Sequence, residues 1–142
     1  MAEKTIDIAS PILSRNERLA EQLRQRFHET NTYVINVLSS PGSGKTTTIL
    51  GTNERLRDKA GLHCAVIEGD IASDVDAITM KEAGMPAIQI NTGGLCHLEG
   101  NMIMEAVDAF DQAVGLQNID VIFIENVGNL VCPAEFDTGA VK

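Results

Sequence analysis

Nowhere in this 142-residue chain does an apolar run approach the roughly 20 residues that span a bilayer. The opening MAEKTIDIAS carries no apolar core of signal-peptide length either. Together these predict a cytoplasmic protein with no membrane partner. Basic residues are few, 11 Lys and Arg against 20 Asp and Glu, for a formal net charge of -9. Nucleic-acid binding draws its affinity from clustered cations that release phosphate counterions, so no nucleic-acid partner is expected. The acidity reads as a solubility property. Cysteines number three, an odd count that fits reduced thiols or metal ligands better than a disulfide framework. There is no repeat, low-complexity tract or His-rich segment. What is present is an ordinary 44% of apolar residues, enough for one compact domain.

The chain has a rhythm. Ser14 and Glu17 have capping-box spacing, and Leu19, Leu23 and Phe27 recur every fourth residue behind them, which predicts a helix over about 14–29. YVINVL (33–38) is a short β-branched run, followed by a Gly/Ser/Pro loop and a helical stretch that Gly61 would end. The pattern returns in HCAVIEGD (63–70) before DVDAITMKEAG, in AIQINTGG (87–94) before LEGNMIMEAVDAFDQAV, and in IDVIFIENVG (119–128). These runs are apolar nearly throughout, as strands are when helices cover both faces of a sheet. The expected fold is α/β, a three-layer sandwich around a mostly parallel sheet, with residues 1–32 as an N-terminal helical segment and 33–142 as the main domain. In such sheets ligands gather beyond the carboxyl ends of the strands, so loops 39–46, 69–76, 91–99 and 125–139 should share one rim.

SSPGSGKTTT stands between the first strand and its helix, the context a phosphate-binding P-loop requires. Gly42, Ser43 and Gly44 would turn backbone N–H groups toward a phosphate, and the helix start adds a favourable dipole. Lys45 would reach the β- and γ-phosphate oxygens, the Thr46 hydroxyl would bind Mg²⁺, and Thr47 completes the motif. Ser39 occupies the motif's first glycine position. Magnesium needs carboxylates nearby, and two strands end in one: Asp70 closes VIEGD and Glu125 closes DVIFIE. Asp74 is a further candidate for the metal; Asp76 is more simply a helix-start residue.

Cys96 and His97, just after two glycines, can form half of a metal site. Cys132 lies four residues beyond Gly128, in a stretch, Glu125-Asn126-Val127-Gly128, similar to the switch motif D-x-x-G, whose glycine N–H senses the γ-phosphate. Thiolate and imidazole suit Zn²⁺ or Ni²⁺ and are poor ligands for Mg²⁺. Three ligands leave a four-coordinate site open, to be filled by a labile ligand or by a second copy across a two-fold axis. The plainer alternative is buried thiols and a hydrogen-bonded histidine. Cys64 is expected in the core, and His28 and His63 at the surface or in packing.

SSPGSGKTTT, IEGD, NTGGLCHLEG and ENVGNLVCPAEFDTG, in this order, resemble the HypB family of hydrogenase nickel-incorporation GTPases, from about residue 14 to the last residue. Nickel GTPases for urease are less similar in the cysteine loops. The resemblance implies a P-loop GTPase that hydrolyses GTP to GDP with Mg²⁺ and helps insert nickel into a [NiFe] hydrogenase. It implies Gly42, Gly44, Lys45, Thr46 and Thr47 as nucleotide-binding residues and Asp70, Glu125 and Gly128 as switch residues. Cys96, His97 and Cys132 would hold Ni²⁺ or Zn²⁺ at the interface of a GTP-dependent homodimer. The implied partners are a hydrogenase nickel accessory protein, a nickel chaperone and the hydrogenase large subunit.

The N-terminal Cys-rich or His-rich nickel motifs of some members are missing, so storage of many ions is not expected. The N-K-x-D motif that reads guanine is also missing, so the chain is expected to be incomplete at its C-terminal side, with an exposed sheet edge and weakened preference for GTP over ATP. No catalytic arginine is evident; such a residue is worth about 10³–10⁵ in rate, and slow turnover follows. A truncated binding module without turnover and a small-molecule kinase are the rival readings; an arginine-rich lid, which the kinase would need, is not evident.

Overall fold

The computed structural model describes residues 10–40, 44–69, 74–129 and 131–142, with the side chains of residues 10, 11 and 74–77 outside that description. Four strands, β1 (Tyr33–Val37), β2 (Cys64–Glu68), β3 (Ala87–Gln89) and β4 (Val121–Glu125), form one sheet in the order β1-β4-β2-β3. All three pairings are parallel. Parallel neighbours need a crossover, and helices α1 (Ser10–Thr30), α2 (Lys45–Ala60), α3 (Asp74–Glu82), α4 (Gly100–Val114) and the short α5 (Cys132–Glu135) alternate with the strands. The α/β expectation holds.

Successive residues of a strand face opposite sides, and both sides here are apolar. Ala65, Ile67, Ile122 and Ile124 pack with Leu23 and Phe27 of α1 and with Ile103, Val107 and Phe110 of α4. Cys64, Val66, Val121 and Phe123 pack on the other side with Ile49 of α2 and Met80 of α3. Every residue of β2 and β4 is buried, which is why neither run alternates in the sequence. The same parity carries Glu68 and Glu125, the last residues of β2 and β4 and partners in register, onto the α2 side.

The first helix begins a turn earlier than its capping-box spacing predicts. Ser14 and Glu17 lie inside it, and Ser10-Pro11 opens it, in keeping with the preference for proline in a first turn. Its buried stripe is Asn16, Ala20, Leu23 and Phe27, with Leu19 half-buried. Gly61 ends α2 as expected, donating its N–H to the carbonyl of Arg57 while Leu62 reaches back to Leu56. The edge at β1 is less bare than expected. Val141 donates to the Val34 carbonyl at 2.9 Å and Asn36 to the Lys142 carbonyl at 2.8 Å, so the last residues run along it. Tyr33 remains exposed there.

Candidate functional site: a phosphate loop beside a thiol pair

Gly44 caps α2 with φ 88, a left-handed conformation that strains any other residue. A Cβ there would meet nothing within 4 Å, so the conformation and not crowding calls for glycine. Lys45 follows, almost fully buried. Thr46 donates its hydroxyl to Glu125 Oε1 at 3.0 Å, joining the start of α2 to the end of β4. Thr47 is exposed. Glu125 is itself only 2% exposed, and its Oε2 is buried with no hydrogen-bond partner among the described residues. A buried carboxylate oxygen left bare is costly, and a hard cation bound there would compensate it. With a hydroxyl beside it, this donor set fits Mg²⁺. Gly42, Ser43 and Asp70 lie outside the described residues, as does the side chain of Asp74, whose backbone opens α3.

Beyond β4, Asn126 is fully buried, bonded through Nδ2 to Asn36 Oδ1 at 3.0 Å, and accepts the Val127 N–H on its own Oδ1. Gly128 follows on the rim, half-buried. Asn129 Oδ1 then accepts the N–H groups of Val131 at 2.8 Å and Cys132 at 3.3 Å, tying off the start of α5. The segment that leaves Glu125 therefore carries Cys132 with it.

β3 and β4 are not neighbours; β2 lies between them. The loop after β3 must cross the end of β2 to bring Cys96 to Cys132. It crosses at Gly69, where a Cβ would sit 2.6 Å from Leu98, so the absence of a side chain permits the crossing. Cys96 Sγ lies 3.7 Å from His97 Nδ1, and the Cys96 and Cys132 thiols are near enough to shift each other's pKa. The Cys132 thiol, and secondarily His97, lower the Cys96 pKa from its ordinary value. The neighbouring Cys96 thiol, helped by burial and the charge of Glu135, raises that of Cys132. Cys96 is thus the first thiolate of the pair. His97 is 8% exposed, hydrogen-bonded through Nε2 to Glu99 Oε1 at 3.1 Å and stacked on Phe136 at 3.8 Å. Among the described residues no group of three His, Cys, Asp or Glu side chains converges tightly enough to close around a metal ion within one chain.

The remaining thiol and histidines lie as expected. Cys64 is buried in β2 with its pKa pushed up to about 11, chiefly by burial and then by Asp120; His28 and His63 are exposed. The supports of the rim are not visible in residue spacing. Asn16 Oδ1 accepts the Gly100 N–H at 2.6 Å while its Nδ2 donates to the Asp137 carbonyl at 2.8 Å. Arg24 grips Asp137 with two bonds, at 2.9 and 2.7 Å. So α1 braces the segments that follow both cysteine loops. An asparagine on an otherwise apolar stripe was the available signal.

The fold and this rim define a nucleotide-binding domain. Residues 33–140 match the family described as CobW/HypB/UreG, nucleotide-binding domain. The chain belongs to that family. Within it, the likeness is to HypB: the chain is 45% identical over 138 residues to the hydrogenase/urease maturation factor HypB of Helicobacter hepaticus, covering 97% of the chain and 55% of that protein. It is 46% identical over 136 residues to the hydrogenase maturation factor HypB of Escherichia coli K12, covering 96% and 45%. The crystal structure of HypB from Helicobacter pylori in complex with nickel superposes with a TM-score of 0.79 at 40% identity, covering 89% of the chain and 57% of that structure. The chain thus spans about half the length of the curated relatives it matches.

Proposed function

We propose that the chain is the nucleotide- and metal-binding part of a GTPase that couples GTP binding and hydrolysis to nickel delivery during [NiFe] hydrogenase maturation. One observation carries this reading above the others. Glu125, joined to Thr46 at the nucleotide loop, and Cys132, whose thiol and that of Cys96 shift each other's pKa, stand on one short segment.

On this reading Gly42, Ser43, Gly44, Lys45, Thr46 and Thr47 hold the phosphates of GTP or GDP. Thr46, Glu125, Asp70 and Asp74 would hold Mg²⁺, which offsets the negative charge of the phosphates when bound. Lys45 brings its charge to the β- and γ-phosphates, and Gly128 offers its N–H to the γ-phosphate. Loss of that phosphate releases Gly128, and the shift travels through Asn129 to Cys132. Cys96, His97 and Cys132 take Ni²⁺ or Zn²⁺, and since the described residues of one chain do not close the shell, a second copy supplies the rest in a GTP-dependent homodimer. The accessory protein, nickel chaperone and hydrogenase large subunit are the partners that would exchange the ion, in the cytoplasm. The nickel complex of the Helicobacter pylori relative supports the choice of ion.

The test is phosphate release from GTP and from ATP, with and without Ni²⁺, against a Lys45→Ala control. Slow release that the control abolishes is the expected result. Release no faster than the control would leave the alternative, a module that binds nucleotide or metal without turnover.

A further inference from the structure

An imidazole presents a metal with whichever nitrogen its other hydrogen bond leaves free. We infer that Glu99 is a positioning residue that fixes the proton of His97 on Nε2 and so directs the Nδ1 lone pair at the thiols, with Phe136 holding the ring plane. The inference rests on the proposed metal site and adds residues to it.

Three observations support it. Glu99 Oε1 lies 3.1 Å from His97 Nε2, and an ionised carboxylate only accepts, so that nitrogen must carry the proton. The opposite edge, Nδ1, faces Cys96 Sγ at 3.7 Å. The ring lies nearly parallel to Phe136, with an interplanar angle of 9° and centroids 3.8 Å apart, and is almost wholly buried, so it cannot turn over without unstacking. A flipped ring would offer Glu99 a carbon and lose the bond. Carboxylate, imidazole and metal in series also raise the basicity of the ligand nitrogen.

Glu99 itself is available for this task. Its side chain makes no capping bond to α4, whose first N–H is taken by Asn16 instead. Its backbone carbonyl, which any residue supplies, serves the helix start by accepting from Met102 and Ile103. Replacing the side chain therefore leaves the helix start intact.

The experiment needs no metal for its first arm. Long-range ¹⁵N correlation spectra of the metal-free chain report the tautomer of His97 directly. The Nε2–H form is expected in the native chain and in Glu99→Gln, whose amide oxygen still accepts, and a shift toward Nδ1–H in Glu99→Ala. In the second arm, Ni²⁺ titration should show Glu99→Ala weakened about 10–100-fold, with Glu99→Gln retaining most of the native affinity. An Nδ1–H tautomer in the native chain overturns the inference. So does a Glu99→Ala chain unchanged in both tautomer and affinity. Loss of binding in Glu99→Ala and Glu99→Gln alike, as complete as in Cys132→Ala, would make Glu99 a ligand and overturn it too. If Cys132→Ala binds Ni²⁺ as well as the native chain, the metal site fails instead, while the tautomer result still decides the role of Glu99.

Discussion

Replacing Gly69 by alanine should disturb both halves of the rim at once. A Cβ at that position would stand 2.6–2.7 Å from three carbons of the Leu98 side chain, well inside contact distance. Leu98 cannot swing aside cheaply, because it is fully buried in the core that includes Ile67, Ile103 and Ile124. Overpacking of this kind destabilises by about 1–3 kcal/mol. Leu98→Ala alone should cost about 2–5 kcal/mol, the usual range for emptying such a site. Combined, the two should cost less than their sum, since the new methyl occupies space that the leucine vacated, with a coupling of about 1 kcal/mol or more. Urea unfolding of the four chains measures the cycle. Gly69→Ala should also weaken Ni²⁺ binding, because Leu98 adjoins His97. Strictly additive stabilities would refute the crowded crossing, and with it the idea that Gly69 lets the 91–99 loop over the end of β2.

Asn16→Ala removes a buried helix cap and strands the Gly100 N–H, which should cost about 2 kcal/mol in urea unfolding; a loss below about 0.5 kcal/mol would show that α1 does not brace the rim. Alkylation of the folded chain with iodoacetamide, followed by mass spectrometry, should modify Cys96 ahead of Cys132 and spare Cys64, whose thiol is buried and raised to about 11. Labelling of Cys64 at a comparable rate would contradict this. Arg24 is the main cause that holds the Asp137 pKa below its ordinary value of 3.8. The pair's stabilisation is therefore present above that pKa and is lost as pH falls through the lower folded value. Asp137→Asn should flatten this acid limb of the stability curve, and an unchanged limb would refute the assignment.

Much of this architecture could be read from residue order. CAVI and VIFI are apolar on consecutive positions because helices cover both faces, and the folded strands are buried along their whole length. The Thr46–Glu125 contact was legible for a similar reason: a P-loop and a strand-ending carboxylate converge in any parallel sheet whose strands end on one rim. The start of α1 was misjudged because Ser14-x-x-Glu17 copies the spacing of a cap while lying inside a helix that already includes Ser10. The strand order was beyond the local pattern, since no short-range signal says that β2 separates β3 from β4. Gly69 looked like a loop glycine and proved to be a crossing point. Phe136 and Asn16 act through contacts across the chain, which spacing within a loop does not encode, while Glu99 reaches His97 only two residues away and depends on a ring orientation that residue order does not state.

The central claim is that the segment reading the terminal phosphate also moves a sulfur ligand. Ni²⁺ titration in three states tests it most directly: without nucleotide, with GDP and Mg²⁺, and with a non-hydrolysable GTP analogue and Mg²⁺. The account predicts that affinity differs by at least about tenfold between the GDP and GTP-analogue states, and that Cys132→Ala removes the difference. Equal affinity in all three states, in a chain shown to bind both nucleotides, would contradict it.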